Sequence, residues 1–248
     1  MVLTAKPYLQ EISIRPELDI DYGCYPHNIP AVRELGHLGF HPDVTFLVGE
    51  NGSGKSTVLE AIAMALGYSQ EGGTRNMQVQ TADTVSPLHR ALRLARSFRK
   101  PRDGYFLRAE SFFNVATYTD EAGYLGGYGN RSLHERSHGE AFMALLTGKF
   151  RGQGLYLLDE PEAALSPNRQ LAALAVIHQL VQDDSQFIIA THSPILLAYP
   201  NAKILQFHGE GISEVAYEDT EHYAVTRDFL NHYPRRLAQL LADEDEAG

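Results

Sequence analysis

The sequence predicts an α/β fold built on a mostly parallel sheet. Short apolar runs of the kind found in buried strands alternate with helical segments along the 248 residues, and this alternation is typical of parallel sheets covered by helices. The clearest strands are Val44–Val48, Gly154–Leu158 and Phe187–Thr191. A polar stretch near residues 70–150 interrupts the alternation, so we expect a single domain over residues 1–248 with an inserted helical subdomain there.

The N-terminal half is predicted to hold two early strands and two helices. The strands are Glu11–Ile14 and Ile29–Val32, and the first helix is Thr57–Leu66. Segment Pro87–Arg96 has leucines spaced four and then two residues apart with arginines between them, which indicates an amphipathic helix with a basic face. Between the two helices, Gln70–Asp83 is polar and glycine-rich and is predicted to be irregular.

The chain then returns to regular elements after a second irregular stretch. Glycine and tyrosine dominate that stretch, which indicates a loop or lid. The predicted elements are the strand Tyr105–Ala109, the loop Tyr118–Leu133, the helices Ser137–Leu146 and Asn168–Val181, and a hairpin of Ile204–Phe207 with Ile212–Val215.

Composition excludes several classes of protein. No apolar run is long enough for a membrane helix, and the N-terminus lacks the apolar core of a signal peptide, so we expect a cytoplasmic protein. Cys24 is the only cysteine, which rules out an intrachain disulfide and a cysteine metal cluster. The net charge of −10, from 21 basic and 31 acidic residues, argues against a broadly basic nucleic-acid-binding surface.

The most informative motif is a complete G-x-x-x-x-G-K-S phosphate loop over Gly49–Ser56. It lies between a predicted strand and a predicted helix, which is the context that this motif requires. Its main-chain N–H groups and the helix N-terminus would surround the phosphates, Lys55 would reach the β- and γ-phosphates, and the Ser56 hydroxyl would bind Mg²⁺. The predicted nucleotide-binding residues here are Glu50, Asn51, Gly52, Ser53, Gly54, Lys55, Ser56 and Thr57.

Two further motifs follow later strands. Asp159 and Glu160 come directly after four apolar residues, and the carboxyl end of a parallel strand is where open α/β sheets bind ligands. Asp159 is predicted to hold Mg²⁺, and Glu160 to activate a water for attack on the γ-phosphorus. His192 follows the next apolar strand and is predicted to sense the γ-phosphate. With Lys55, Glu160 and His192 form the predicted catalytic set.

Together, the phosphate loop, Asp159-Glu160-Pro161 and Thr191–Pro194 resemble the ABC-type ATPases. That family has a signature segment, usually L-S-G-G-Q, some twenty residues before the acidic strand, and here Arg136–Glu140 stands in its place. Ser137, Gly139 and Glu140 match the S, second G and Q-like positions of the signature, whereas Arg136 and His138 depart from it. The resemblance implies a dimer in which Ser137 and Gly139 of one subunit contact the ATP held by the other.

Three short segments indicate which branch of that family the chain resembles. The loop G-E-N-G-S-G-K-S, the segment E-A-A-L-S-P and the segment A-T-H-S-P resemble the SMC, RecF and OLD-nuclease branch rather than the transport ATPases. Ser166 replaces the aspartate that transport ATPases usually carry after the acidic strand. Because the chain has no heptad repeat and no nuclease-like acidic cluster, it resembles stand-alone bacterial ATPases described as AAA or ABC family.

The sequence therefore predicts Mg²⁺-dependent ATP hydrolysis in an ATP-sandwiched homodimer that drives a conformational change in an unknown protein partner. The alternatives are the ATP-binding subunit of a membrane transporter, a nucleotide switch without turnover, and a P-loop kinase. The glutamine loop (Gln78 or Gln80) and the adenine-stacking residue (Tyr25 is one candidate) stay open. Nucleic acid is a further possible partner through a local basic run of Arg90, Arg93, Arg96, Arg99, Lys100 and Arg102.

Overall fold

The computed structural model describes residues 6–75, 86–111 and 137–242. The strands in chain order are β1 (Leu9–Ile14), β2 (His37–Gly39), β3 (Val44–Gly49), β4 (Leu92–Arg96), β5 (Asp103–Arg108), β6 (Gly154–Asp159), β7 (Gln186–Ala190), β8 (Lys203–His208) and β9 (Gly211–Val215). The α-helices are α1 (Pro30–Arg33), α2 (Lys55–Ala65), α3 (Leu88–Ala91), α4 (His138–Gly148), α5 (Pro167–Gln182), α6 (Pro194–Leu197) and α7 (Glu221–Leu240).

The larger sheet has six strands in the order β5-β6-β7-β3-β8-β9. The pairs from β5 to β8 are parallel, and β9 joins β8 as an antiparallel edge strand. This confirms the predicted α/β class with a mostly parallel sheet and the predicted hairpin. The parallel strands end at one edge of the sheet, so the segments that follow β3, β6 and β7 lie side by side there.

Both faces of this sheet are covered, which explains the continuous apolar runs of its strands. On β3, Val44, Phe46 and Val48 belong to the core shared with α4 and α5. Leu47, which points to the opposite face, belongs to a second core shared with α2 and with the N-terminal strands. Each residue of β3 is therefore buried whichever face it occupies.

The second core includes a small antiparallel sheet in the order β2-β1-β4. Here the predicted helix Pro87–Arg96 is wrong: only α3 is helical, and the following residues form β4, which pairs Leu94 with Ile12 and Leu92 with Ile14. Leu92 and Leu94 are two residues apart, which is the spacing of one face of a strand. The spacing of the leucines is compatible with a helix and with a strand, and pairing with β1 selects the strand.

A second correction concerns Ile29–Val32, which is not a strand. Residues Pro30–Arg33 form the short helix α1, and proline at the first helical position favours this outcome. The predicted subdomain range also contains strands in its described part, since β4 and β5 lie within it. The predicted loop Tyr118–Leu133, Gln78, Gln80 and Arg136 lie outside the described residues.

Helix α7 has no counterpart among the elements that the sequence predicts. It is 20 residues long, begins at the N-cap Thr220 and carries a non-helical kink at His232, two residues before Pro234. None of its residues is buried. Apolar side chains including Leu230 and Leu240 are mostly exposed. The first turn of α7 lies near the edge of the large sheet at which the parallel strands end.

Candidate functional site

The phosphate loop connects β3 to α2, and its glycines have backbone angles that other residues rarely adopt. Gly49, Gly52 and Gly54 have φ angles of 143°, 80° and 100°. A Cβ at Gly54 would lie 2.8 Å from Cγ2 of Ile29, and one at Gly49 would collide with the carbonyl oxygen of Phe207. Glycine is therefore required at both positions for steric as well as conformational reasons.

Lys55 is the first residue of α2 and is buried, with 4% of its surface exposed. Its Nζ donates to the carbonyl oxygens of Gly49 at 2.7 Å and Glu50 at 2.8 Å. Burial lowers the pKa of Lys55, whereas the nearby carboxylates of Glu160 and Asp159 oppose that shift. The ammonium group is thus held inside the curve of the loop by uncharged acceptors.

Ser56 and Asp159 meet across 103 positions of sequence. The Ser56 hydroxyl donates to Oδ1 of Asp159 at 2.9 Å. Burial raises the pKa of Asp159 to about 6, although the bond from Ser56 and the charge of Arg108 favour its ionised form. Arg108, at the end of β5, lies 3.8 Å from Asp159 Oδ2 and forms a 2.8 Å ion pair with Glu60 of α2.

Glu160 leaves β6 in a left-handed conformation, with φ of 50° and ψ of 51°. This region is unfavourable for a residue with a side chain and is found mainly at functional sites and turns. The main chain is held there because the Glu160 N–H donates to the carbonyl oxygen of Ala190 at 2.9 Å. As a result the Glu160 carboxylate turns towards His192, with Oε1 lying 3.8 Å from Nε2.

His192 is fixed from two sides. Its main-chain N–H donates to Oε1 of Glu162 at 2.5 Å, and its ring Nδ1 lies 3.0 Å from Nε2 of His222, in the first turn of α7. Burial is the main cause that lowers the pKa of both histidines. Sequence reasoning missed His222, because a single histidine in a polar segment after the last strand carries no recognisable pattern.

A cleft of about 450 Å³ lies against the loop. A second opening of about 540 Å³ adjoins it and reaches His192. Glu50, Asn51, Glu221 and His222 line both spaces. The remaining walls of the first space come from Pro30, Gly49, Gly52, Ser53, Gln206, Phe207, His208 and Gly209. The structure therefore places the predicted loop residues, Asp159, Glu160 and His192 at one edge of the sheet, with α7 as an additional wall.

The signature residues Ser137 and Gly139 lie at the start of α4. Ser137 is the N-cap of α4, and its N–H donates to Oε2 of Glu140 at 3.0 Å. Arg169 of α5 donates to the Ser137 hydroxyl at 3.3 Å, and a Cβ at Gly139 would lie 2.8 Å from the carbonyl oxygen of Ala164. Their predicted role in the site of a second chain stays a prediction, as does the adenine contact of Tyr25, which is 65% exposed.

Two family models match the sequence. The first, described as "AAA domain", matches residues 23–105 and includes the phosphate loop. The second, described as "AAA domain, putative AbiEii toxin, Type IV TA system", matches residues 124–198 and includes Asp159, Glu160 and His192. A search of curated proteins found no significant match.

The solved structures that match this chain include two SMC heads and a transporter. The "SMC head domain from Thermotoga maritima" has a TM-score of 0.43 and 15% identity, over 84% of this chain and 98% of that one. An SMC head bound to the C-terminal winged-helix domain of ScpA has a TM-score of 0.48 and 14% identity, over 84% of this chain and 97% of that one. "An inward-facing conformation of a putative metal-chelate type ABC transporter" gives 0.44 and 16%, over 88% of each chain.

At such TM-scores and identities, the solved structures indicate nothing about the chemistry or the partners of this chain. The two family models and the geometry around the phosphate loop carry the functional assignment instead. Within residues 6–75, 86–111 and 137–242, no helix combines the length and the apolar content needed to cross a membrane.

Proposed function

Since the chain is a P-loop ATPase of the AAA/ABC type, we propose that it binds ATP with Mg²⁺ at the Gly49–Ser56 loop and hydrolyses it within a homodimer. The observation that carries the proposal is the convergence at one sheet edge of a buried lysine, a serine–aspartate pair 2.9 Å apart, and Glu160 beside His192. These side chains come from three distant stretches of the sequence.

The loop fits the phosphates of a nucleotide. Its glycines leave room for a close approach of the main chain, and the Ser53 hydroxyl oxygen is buried without a hydrogen-bond partner among the described residues. Among the described residues Lys55 donates to the carbonyl oxygens of Gly49 and Glu50, and charged phosphate oxygens are stronger acceptors. Bound phosphates would therefore give Lys55 and Ser53 better partners than the protein provides.

Ser56 and Asp159 fit a magnesium ion. Mg²⁺ prefers oxygen ligands and is usually held by one or two protein groups together with substrate phosphates. The hydroxyl of Ser56 and the carboxylate of Asp159 supply such oxygens at the end of the loop. When bound, the ion would offset the negative charge of the phosphates. It would also favour the ionised form of Asp159.

Glu160 is proposed as the general base. Its carboxylate accepts a proton from the attacking water, and the left-handed main chain directs it away from β6 towards His192. His192, held by Glu162 and His222, contacts the γ-phosphate. The fixed main chain at both residues keeps the two side chains on the same side of the nucleotide.

In the proposed dimer, Ser137 and Gly139 contact the nucleotide bound by the other subunit. The N-terminus of α4 offers N–H groups suited to a phosphate, and the capping box keeps that terminus ordered. In the proposed assembly this terminus closes the nucleotide site of the other subunit. Closure would then be passed as a conformational change to a partner protein.

ATP turnover by purified Glu160→Gln protein tests the proposed function. We expect nucleotide binding to persist while turnover falls by about 10²- to 10⁴-fold, which is the usual contribution of general-base catalysis. Glu214→Gln, an equivalent change on the edge strand β9, is the control and should retain full activity. Near-normal turnover in Glu160→Gln would remove Glu160 from the role of base.

A further inference from the structure

The ring contact between His192 and His222 links the site to α7. Nδ1 of His192 lies 3.0 Å from Nε2 of His222, and the two ring centroids are 5.1 Å apart with an interplanar angle of 53°. Thr220 fixes the turn that carries His222: its buried hydroxyl donates to the carbonyl oxygen of Tyr217 at 2.7 Å and accepts from the N–H of Tyr223 at 3.3 Å.

A contact between two neutral imidazoles has only two arrangements. In one, Nε2–H of His222 donates to Nδ1 of His192, so the proton of His192 lies on Nε2. In the other, Nδ1–H of His192 donates to Nε2 of His222, and Nε2 of His192 is a bare acceptor. The hydrogen bond that one ring nitrogen makes thus determines what the other nitrogen presents.

The surroundings of His192 distinguish these two arrangements. Its Nε2 is buried, makes no hydrogen bond among the described residues and lies 3.8 Å from Oε1 of Glu160. If Nε2 carried no proton, its lone pair would point at the negative charge of the Glu160 carboxylate. Once ATP is bound, the lone pair would also point at the negatively charged oxygens of a phosphate. A protonated Nε2 faces the same groups as a donor.

We propose that His222 is a positioning residue that donates through Nε2 to Nδ1 of His192 and holds His192 in the tautomer protonated on Nε2. This inference rests on the proposed function for its catalytic consequence, because the donor on Nε2 is what a γ-phosphate oxygen would accept. His222 lines the cleft beside the phosphate loop, but in this proposal its effect on the reaction passes through His192. His222 acts through the orientation and the tautomer of the His192 ring.

Ring-nitrogen NMR of the nucleotide-free protein tests the proposal without reference to activity. We expect the spectrum of ¹⁵N-labelled wild type to show His192 protonated on Nε2 and unprotonated on Nδ1, with the signals assigned by their loss in His192→Gln. His222→Ala should convert His192 to a mixture of tautomers. His222→Gln should restore the single tautomer, since its amide nitrogen replaces Nε2 as donor.

Turnover provides the second readout. Loss of an outer partner that orients a metal-ligating histidine typically costs about 10- to 100-fold. By analogy we expect kcat of His222→Ala to fall by about 10-fold, at the lower end of that range. KM for ATP should change little, and His222→Gln should recover most of kcat. His232→Gln, on the same helix near its kink, is the matched control and should resemble wild type in both measurements.

The two readouts separate failure of this inference from failure of the proposed function. A wild-type His192 protonated on Nδ1, or a tautomer indifferent to His222→Ala, would overturn the positioning role whether or not ATP is hydrolysed. Unchanged kcat in His222→Ala despite an altered tautomer would overturn its importance for turnover. Absence of turnover in wild type, with the tautomer as expected, would reject the proposed ATP chemistry and leave the contact of the two rings established.

Discussion

Lys55 combines a favourable role with an unfavourable location. Its ammonium group is almost completely buried, and its hydrogen bonds go to two uncharged carbonyl oxygens. Burying a charge without a compensating partner costs free energy. The residue that the phosphates need most is thus a source of instability in the nucleotide-free protein.

We therefore expect Lys55→Met to have opposite effects on binding and on stability. Hydrogen bonds to charged groups are worth about 1.5–3 kcal/mol, so ATP binding should weaken by about 10- to 100-fold. The melting temperature without nucleotide should be unchanged or higher, because the flexible apolar side chain fills the same space. Calorimetric titration and thermal unfolding measure the two effects; a large fall in melting temperature would contradict this account of Lys55.

Asp159 makes stability depend on pH in a direction opposite to that of most carboxylates. Its pKa is raised from 3.8 to about 6 by burial, so the folded chain holds its proton over a range in which the unfolded chain has released it. The stabilising contribution is complete below pH 3.8 and is lost as the pH rises through about 6. Its size is at most roughly 3 kcal/mol, from 1.36 kcal/mol per unit of pKa.

Asp159→Asn should remove this contribution. In magnesium-free buffer, the free energy of unfolding of wild type should fall between pH 4 and 6 more steeply than that of Asp159→Asn, as measured by urea denaturation. Asp19→Asn, at an exposed loop position, serves as the control and should keep the wild-type slope. Identical slopes in wild type and Asp159→Asn would show that burial does not hold the proton on Asp159.

At the scale of elements, β4 and the residues after it form a basic edge. Arg93 and Arg96 lie on β4, one of the two outer strands of the small sheet, and Arg99 follows in the next loop. All three side chains are exposed, as is Phe98, at 67%. The three exposed arginines lie within seven consecutive residues, on β4 and the loop that follows it.

We predict that this edge binds polyanions in spite of the net charge of −10. Replacing Arg93, Arg96 and Arg99 together with serine should make the protein elute from a heparin column at lower salt, because fewer cations neutralise the polymer. The matched control replaces Arg227, Arg235 and Arg236 of α7 with serine, which removes the same charge. Equal elution of the two triple variants would mean that net charge alone governs the retention.

The local sequence pattern predicted an element correctly where that element's contacts in the fold favour the same structure as the pattern does. Strand β3, helix α2 and the capped start of α4 have apolar runs or caps that favour a single outcome. Segment Pro87–Arg96 had a pattern compatible with two outcomes, and pairing with β1 decided between them. The motifs likewise singled out Lys55, Asp159 and Glu160, which the fold brings to one sheet edge and whose roles stay predictions. His222 is recognised only from its contact with His192.

At the scale of the whole molecule, the proposed dimer predicts a change of mass. Glu160→Gln with ATP should sediment as a dimer and without ATP as a monomer, since turnover no longer releases the bridging nucleotide. Ser137→Arg in that background should stay monomeric with ATP while each chain still binds nucleotide. Light scattering measures the masses, and Glu160→Gln combined with Lys55→Met is the control with weakened ATP binding, which should need a higher ATP concentration to dimerise.

Two results would contradict the proposed dimer. A dimer mass that is the same with and without ATP in every variant would exclude nucleotide as the bridge between the subunits. A Ser137→Arg protein that still dimerises with ATP would exclude the N-terminus of α4 from the contact.

The position of β3 within the sheet has a consequence for the order of folding. β3 spans residues 44–49, yet its neighbours are β7 and β8, which begin at residues 186 and 203. Pairings so distant in sequence form late, and synthesis delivers the N-terminal strand first. A growing chain thus carries the phosphate loop for most of its synthesis without the strands that hold it in place. Its capacity to retain a nucleotide should begin only after β8 has been made.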